Sequence, residues 1–503
     1  MKKIYTIIII FLLSICSFSL ANSKYLRWAA DAEGNAPFIF QDPRIPSNLI
    51  GFEVDIVNEL ANEMDLEPVF IQNQWDGLIA GLSRDDYDIA INGLEITEDR
   101  KHQVNFSIPY YITYEQLVVR KGTKGITSLI DLIGKKAGAL ENSLAERILN
   151  SQQGVTVKTY EGEVNAFSDM LNGRLDVVLV DSPIALYYAS WNDDYEMVGE
   201  PIGNVMYAVV CRKQDTVLLK QINKALTNII NNGKLREILE QWNLWNEKMS
   251  DYTKDDDPTN IMPEKFNEFI ESQGKEADFD TIFKRYVGYL PLIGKAALTT
   301  LWLSMVSMVV AILSGLFIAL VRVYAPFPFS QMAVIYIEII RGTPLLIQLF
   351  FIFYALPSIG ITLSPELAAI FGLGFNYAAY EAENFRAGLF SVPRGQMEAA
   401  ISLGMNRRQS LRHVVLPQAI RLVIPPLTND YISLLKDSSL VAIITMVELT
   451  KVYTQISQAH YDYFIPGIIV AGIYLLLGLP FVRLSRYFEN KYSLDKQIKK
   501  MYN

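Results

Sequence analysis

Few side chains in this chain of 503 residues could carry covalent or redox chemistry. Its histidines, His102, His413 and His460, stand far apart, and its two cysteines are Cys16 and Cys211. Neither set has the spacing of a metal site, and two cysteines cannot build a disulfide framework. No G-x-x-x-x-G-K-[ST] occurs, so no Walker loop is available to cradle ATP phosphates. What remains is charge placed among small or apolar residues. Thr97-Glu-Asp-Arg100 reads locally as a helix N-cap with an acidic first turn and a following guanidinium. Asp181-Ser-Pro183 reads as a turn, and Trp75 as a core aromatic or a wall for a ligand. Glu338, Arg341, Glu381, Glu383, Arg386, Lys436 and Asp437 lie in or beside long apolar runs. A charge there is costly and marks a pathway or a paired contact. Such groups hold charge rather than break bonds, so neither an enzyme, a cofactor nor a metal is expected.

The elements that must position these groups fall into two very different halves. The chain is 50% hydrophobic and 20% charged with a net charge of -9, which excludes a disordered protein. It has no basic tract, so a nucleic-acid partner is excluded as well. Residues 1–22 read as a signal peptide: Lys2 and Lys3, an apolar stretch to Leu20, and Ser19-Leu20-Ala21 as cleavage site. An uncleaved first membrane helix is the alternative, and either would export the chain beyond it. Residues 23–250 contain no run able to cross a bilayer, and 251–284 form an acidic, Pro- and Gly-punctuated linker.

From 285 to 503 the chain reads as membrane. Ala296–Val321, Gly342–Pro365 and Phe464–Val482 each reach the roughly 18–20 residues needed to cross hydrocarbon. Weaker candidates at 367–389 and 427–447 raise the expectation to five spans. Arginines crowd 391–425 and basic residues follow 482, while the opposite loops offer only Lys451. That asymmetry puts the C-terminus in the cytoplasm and the first half outside it, although Lys284, Arg285 and Lys295 count mildly against this.

Within the exported half, strands at Tyr25–Ala29, Pro68–Gln72, Asp88–Asn92 and Leu175–Val180 alternate with helices at Phe52–Met64 and Trp75–Leu82. Strands separated by helices imply a parallel sheet, with ligands beyond the carboxyl ends of its strands. Gly51-Phe-Glu-Val-Asp-Ile, Trp75-Asp-Gly-Leu-Ile-Ala-Gly-Leu, Asp88-Ile-Ala-Ile-Asn-Gly-Leu-Glu-Ile-Thr-Glu-Asp-Arg100, Phe106-Ser-Ile-Pro-Tyr-Tyr and Gly173-Arg-Leu-Asp-Val-Val-Leu-Val-Asp-Ser-Pro183 succeed one another in order. Together this set resembles the polar amino-acid-binding proteins (family 3) of bacterial ABC-type importers. The resemblance implies a two-lobed α/β periplasmic-binding-protein fold of type II, with lobe 1 at about 23–112 and 205–250 and lobe 2 at about 113–204. It also implies site roles. Arg100 would hold the ligand carboxylate, with Gly93 and Thr97 beside it and Ser143 approaching from the second lobe. Asp181 would take the ammonium, and Trp75 would pack the ligand side chain. The chain departs from the family pattern at Glu95, where Ser or Thr is usual, and in the loop Asp31–Pro37, which has one extra residue and has Asn35 or Gly34 in place of the usual aromatic. With Asp31, Glu95 favours a polar or basic amino acid.

The second half carries Glu398-Ala399-Ala400, then Gly404, then Leu416-Pro417. A short helix closed by glycine, a turn and a second helix could fit a groove on a partner, or lie as a basic linker on the membrane surface. The motif resembles the coupling loop of importer permeases of the His/Glu/Gln/Arg branch, as do Arg341-Gly-Thr-Pro, Ala379-Tyr-Glu-Ala-Glu383 and Tyr431-Ile-Ser-Leu-Leu-Lys-Asp437. The resemblance implies an all-α transmembrane permease domain of about five helices in a bacterial inner membrane, a separate ABC ATPase docked on the coupling loop, and a permease homodimer or a pair with a related permease. An amino-acid-sensing membrane receptor is the alternative, though only about 20 residues lie beyond the last span, too few for an output domain.

Overall fold

The computed structural model describes residues 24–492 except 34–35, 43, 47, 190–191, 274–278 and 461. The expected signal peptide, Cys16 and Asn35 lie outside the described residues. In the first half, β1 (Tyr25–Ala30), β2 (Phe40–Gln41), β3 (Leu49–Ile50), β4 (Glu67–Gln72), β5 (Ile89–Ala90), β6 (Val104–Arg120), β7 (Lys136–Leu140), β8 (Thr156–Tyr160), β9 (Val177–Asp181) and β10 (Tyr195–Arg212) alternate with helices. Eight of these form one sheet in the order β4-β1-β5-β10-β6-β9-β7-β8, while β2 and β3 pair separately.

The sheet is not the purely parallel one expected. β1 pairs in parallel with β4 and β5, and β7 in parallel with β8 and β9. Between these parallel triplets run β6 and β10, 17 and 18 residues long and antiparallel to each other, with register shifts near Ile202 and Ala208. Each long strand therefore passes from one triplet to the other. A bulged two-stranded ribbon bends more readily than a flat sheet, so the two triplets are joined by a hinge. Apolar side chains alternate along the strands and are covered by helices. Leu78, Leu82 and Tyr87 pack under β5 at one end, and Leu132 and Leu149 under β7 and β9 at the other.

The second half is helical. Leu290–Tyr324 and Phe464–Phe488 are long and apolar enough to cross a membrane, and Phe329–Gly342 with Leu345–Ile359 makes a further candidate bent by 109°. The expected single span at 342–365 is thus corrected: a helix already precedes it, and the chain breaks at Gly342-Thr-Pro344. Proline has no N–H to continue the helical ladder and pushes the residue before it out of the α region. The candidate at 427–447 is also not one helix, since Leu416–Asp437 ends in a 3₁₀ segment, Ser438–Ile444. Pro365–Ser391 packs against Leu290–Tyr324 on one side and Leu416–Asp437 on the other. A Cβ on Gly315 would meet Glu381 Cβ at 2.7 Å, and one on Gly388 would meet Val423 Cγ2 at 2.3 Å. Small residues at such crossings let helix backbones approach where no hydrophobic force distinguishes helix from lipid.

Most of the charges in or beside the apolar runs of this half are paired. Glu383 takes Arg322 and Arg386, the latter at 2.8 Å. Asp437 accepts the Tyr377 hydroxyl at 2.7 Å, Glu381 accepts Asn384 Nδ2 at 3.1 Å, and Arg341 lies 5.2 Å from the Tyr380 ring centre. These are paired contacts, one of the two alternatives the sequence leaves open.

Candidate functional site

Residues at or just beyond the carboxyl ends of β4, β5, β7, β8 and β9, with Phe38 from the loop after β1, line one cleft between the triplets. On the first side, the loops after β1, β4 and β5 are laced together. The Asp31 carboxylate accepts the Trp75 backbone N–H at 3.2 Å and Gln72 Nε2 at 2.8 Å. Asn92 Oδ1 accepts the Asp31 N–H at 2.8 Å, and Trp75 Nε1 donates to the Asn92 carbonyl at 2.9 Å. This lacing holds the Trp75 ring as a wall of the cleft. Gly93 turns the chain with φ of 58° and donates its N–H to the buried Glu53 at 2.7 Å. A Cβ there would press on Phe38 at 3.0 Å, so a side chain would both strain the turn and crowd the pocket.

Glu95 bridges the two sides. One of its carboxylate oxygens takes the Arg100 guanidinium, and the other accepts the Leu144 N–H at 3.0 Å. Leu144 begins the helix Leu144–Ser151 of the second side, so this carboxylate lies on a helix N-terminus, where the dipole favours negative charge. Arg100 also donates to the Asn142 carbonyl at 3.3 Å and lies 5.0 Å from the Trp75 ring centre. Thr97 caps the short helix that carries Arg100, its Oγ1 accepting the Arg100 N–H at 3.3 Å.

On the second side Ser143 is a cap: its Oγ accepts the Glu146 N–H at 3.1 Å and donates to the Leu140 carbonyl at 2.7 Å. Asp181 ends β9 beside Glu115 of β6; Glu115 is buried and Asp181 partly so. Burial and the neighbouring carboxylates push both above the usual carboxylate range. Glu163, at the start of the helix after β8, is pushed up to about 8, chiefly by burial. Glu53 rises to about 7 for the same reason, against the pull of Tyr110 and the Gly93 N–H.

Of the residues expected from sequence, Trp75, Gly93, Glu95, Ser143 and Asp181 line the cleft together. Arg100 and Thr97 stand behind Glu95. Phe38, Asn92 and Glu163 also line it and were not singled out from the sequence. Glu163 comes soon after the end of β8, so the rule that placed the other loops would have found it had that strand been recognised.

The coupling segment forms a helix, Arg394–Ser402, closed by Gly404 with φ of 90°. Backbone bonds from Gly404 to Ile401 at 2.9 Å and Met405 to Ala400 at 3.2 Å complete the cap. Asn406 and Gln409 then start the next turn with a reciprocal capping box. Glu398 and Ala399 are exposed, Ala400 is buried, and Leu416-Pro417 opens the following helix.

Residues 26–244 match the family of bacterial extracellular solute-binding proteins, family 3, and residues 289–494 match the binding-protein-dependent transport system inner membrane component. The L-cystine-binding protein TcyJ of Escherichia coli K12 is 35% identical over 209 residues, 41% of this chain and 78% of that protein. The L-cystine transport system permease protein TcyB of Bacillus subtilis is 38% identical over 174 residues, 35% of this chain and 74% of that protein. The glutamine transport system permease protein GlnP of Escherichia coli K12 is 33% identical over 204 residues, 40% of this chain and 93% of that protein. Among solved structures, an ancestral arginine-binding protein bound to arginine is 34% identical, with a TM-score of 0.42, over 44% of this chain and 99% of that one.

The chain belongs to both families, one in each half: an α/β binding-protein domain fused to a helical inner-membrane permease domain. It is a subunit of an ABC-type amino-acid importer, a transporter rather than an enzyme, in which one polypeptide combines amino-acid binding with the transmembrane component.

Proposed function

We propose that the cleft captures an amino acid bearing a second positive charge and that the fused permease carries it inward. The observation that supports this is the charge balance of the cleft. Glu95, Glu163 and Asp181 line it, while the guanidinium beside it, Arg100, already faces Glu95. The donors that hold Glu95 are those an α-carboxylate needs, a guanidinium and a helix N-terminus. A ligand carboxylate would take that seat, and Glu95, released, would turn to the ligand's distal cation. Asp181 would receive the α-ammonium and Trp75 the aliphatic part of the side chain. Arginine and lysine fit this pattern; cystine brings a second ammonium, though with a second carboxylate beside it. Glutamate would add a carboxylate to an acid-lined cleft and is rejected.

Around this site we place a binding domain at 23–250 outside the cytoplasm, a linker at 251–284 and a permease domain at 285–503. A separate ABC ATPase docks on Glu398–Pro417 from the cytoplasmic side, and two permease domains pair to line the path. Titration of the full chain in lipid nanodiscs with arginine, lysine, cystine, glutamine and glutamate tests the ligand class. Tightest binding of a cationic or diammonium ligand is expected, and preference for glutamate or an apolar amino acid would overturn the reading.

A further inference from the structure

The short helix Leu449–His460 belongs to the second half of the chain yet lies against the binding domain. Its Lys451 is 2% exposed. A lysine this buried requires a counter-charge. Glu448, the acid nearest in sequence, is committed elsewhere: it accepts the Thr450 and Lys451 N–H groups at 2.8 and 3.0 Å and the Tyr474 hydroxyl at 2.8 Å. The counter-charge comes from the binding domain instead. Glu33, in the loop after β1, forms an ion pair with Lys451 Nζ, and Asp31 two residues before it adds attraction. Both carboxylates are raised by burial and drawn back down by Lys451. Thr454, one turn on, lies 3.5 Å from Glu33.

Asp31 is also the residue that fixes the cleft wall, through its bonds to the Trp75 N–H and from its own N–H to Asn92. The permease cation therefore acts on the group that holds the ligand pocket in shape. The contact extends across both sides of the cleft. Gln455 faces Gln41 on the first side at 3.3 Å, while on the second Tyr463 donates to Asn165 at 2.7 Å, two residues after Glu163.

We propose that Lys451 is a release residue: by pairing with Glu33 and Asp31 it brings a fixed cation to the mouth of an acidic cleft and weakens that cleft's hold on a cationic amino acid. Docking of the binding domain on its permease is thereby coupled to unloading. Coupling of this kind is reciprocal, so a bound cation loosens the Lys451–Glu33 pair by the same factor. The proposal rests on the cleft being the site of a cationic ligand.

The test uses the full chain in nanodiscs, titrated with L-arginine, L-lysine and the uncharged L-glutamine, in wild type, K451M, K451Q and K451R. With the cation removed in K451M and K451Q, the basic amino acids are expected to bind about tenfold tighter while glutamine changes less than about twofold. K451R should retain the wild-type ratio. A lysine serving only to fasten the domains would alter all three ligands alike, or none, and either result overturns the proposal while leaving the ligand reading intact. Failure of the wild type to bind either basic amino acid overturns both.

Discussion

The Glu95 carboxylate is held by a guanidinium and a helix N-terminus, donors that suit a ligand carboxylate equally well. Removing it by Glu95→Ser leaves Arg100 and the Leu144 N–H free for a ligand carboxylate. Discrimination between basic and neutral amino acids should then fall, because the acid that would meet the distal cation is gone. Loss of a charge-assisted contact of this kind corresponds to about 1.5–3 kcal/mol. Competition of glutamine against arginine on the full chain measures it, and an unchanged preference would remove Glu95 from selectivity. Glu163 permits a pH argument. Its folded-state value, about 8, exceeds the ordinary 4.5, so the folded protein without ligand favours its protonated form. That contribution to stability is complete below about 4.5 and is lost as pH rises through about 8. Glu163→Gln should therefore stabilise the ligand-free protein at pH 8 and above by roughly 2–4 kcal/mol and flatten its pH dependence. It should also weaken the stabilisation by arginine, which needs the ionised acid. Thermal unfolding against pH, with and without arginine, reads both effects. At this scale the sequence reveals identity better than state: Trp75, Glu95 and Asp181 were singled out and lie on one cleft, but that Glu95 takes both Arg100 of its own lobe and the Leu144 N–H of the second was not legible, because it depends on side-chain rotamers and on the two lobes meeting.

At the scale of elements, hydropathy and period reported length and type but not direction. Tyr25–Ala30 and Glu67–Gln72 were legible as strands because both are short, apolar and bounded by polar turns. The long pair β6 and β10 was not, since its antiparallel register links residues 75 to 108 positions apart, from Arg120 with Tyr195 to Val104 with Arg212. The bend after Gly342 was hidden for a similar reason: composition alone does not separate a straight span from a broken one. Leu449–His460 was missed because its apolar residues, Leu449, Val452 and Ile456, are diluted by polar ones and it lies between spans, where hydropathy sees only a loop. Helix crossings lead to a further expectation. Gly388 leaves no room for a side chain beside Val423 and the Ala419 carbonyl, the latter 3.3 Å from an added Cβ. Gly388→Leu must push Pro365–Ser391 away from Leu416–Asp437, at a cost of about 1–3 kcal/mol. A lower melting temperature of the full chain with arginine binding retained would show that the damage stays in the membrane half. Loss of binding as well would mean that the two halves fold as one unit.

At the scale of the whole molecule, a receptor fused to its permease is held at an effective concentration of about millimolar, so capture need not wait for diffusion of a separate binding protein. The sequence contains no G-x-x-x-x-G-K-[ST] loop, and the proposed docking of a separate ATPase requires a surface on the permease half. The segment with the geometry for this is Arg394–Ser402 and the turn after it. The helix is closed by Gly404 and restarted by the Asn406–Gln409 box, yet Leu403, just before Gly404, is 83% exposed and Ile401 is 47% exposed. Two capping devices fix this bend while leaving apolar side chains outside, which suits docking into a groove of a partner rather than folding onto the rest of the chain. Leu403→Asp places a charge at the centre of that contact without touching a buried side chain of this chain. It should abolish co-purification with the partner ATPase and ATP-driven arginine uptake. Ligand capture lies in the other half and must survive: arginine at 100 times its dissociation constant should still stabilise the variant by about 2.7 kcal/mol. Loss of uptake together with loss of that stabilisation would point to misfolding, and retained ATPase association would move the docking surface elsewhere on the permease.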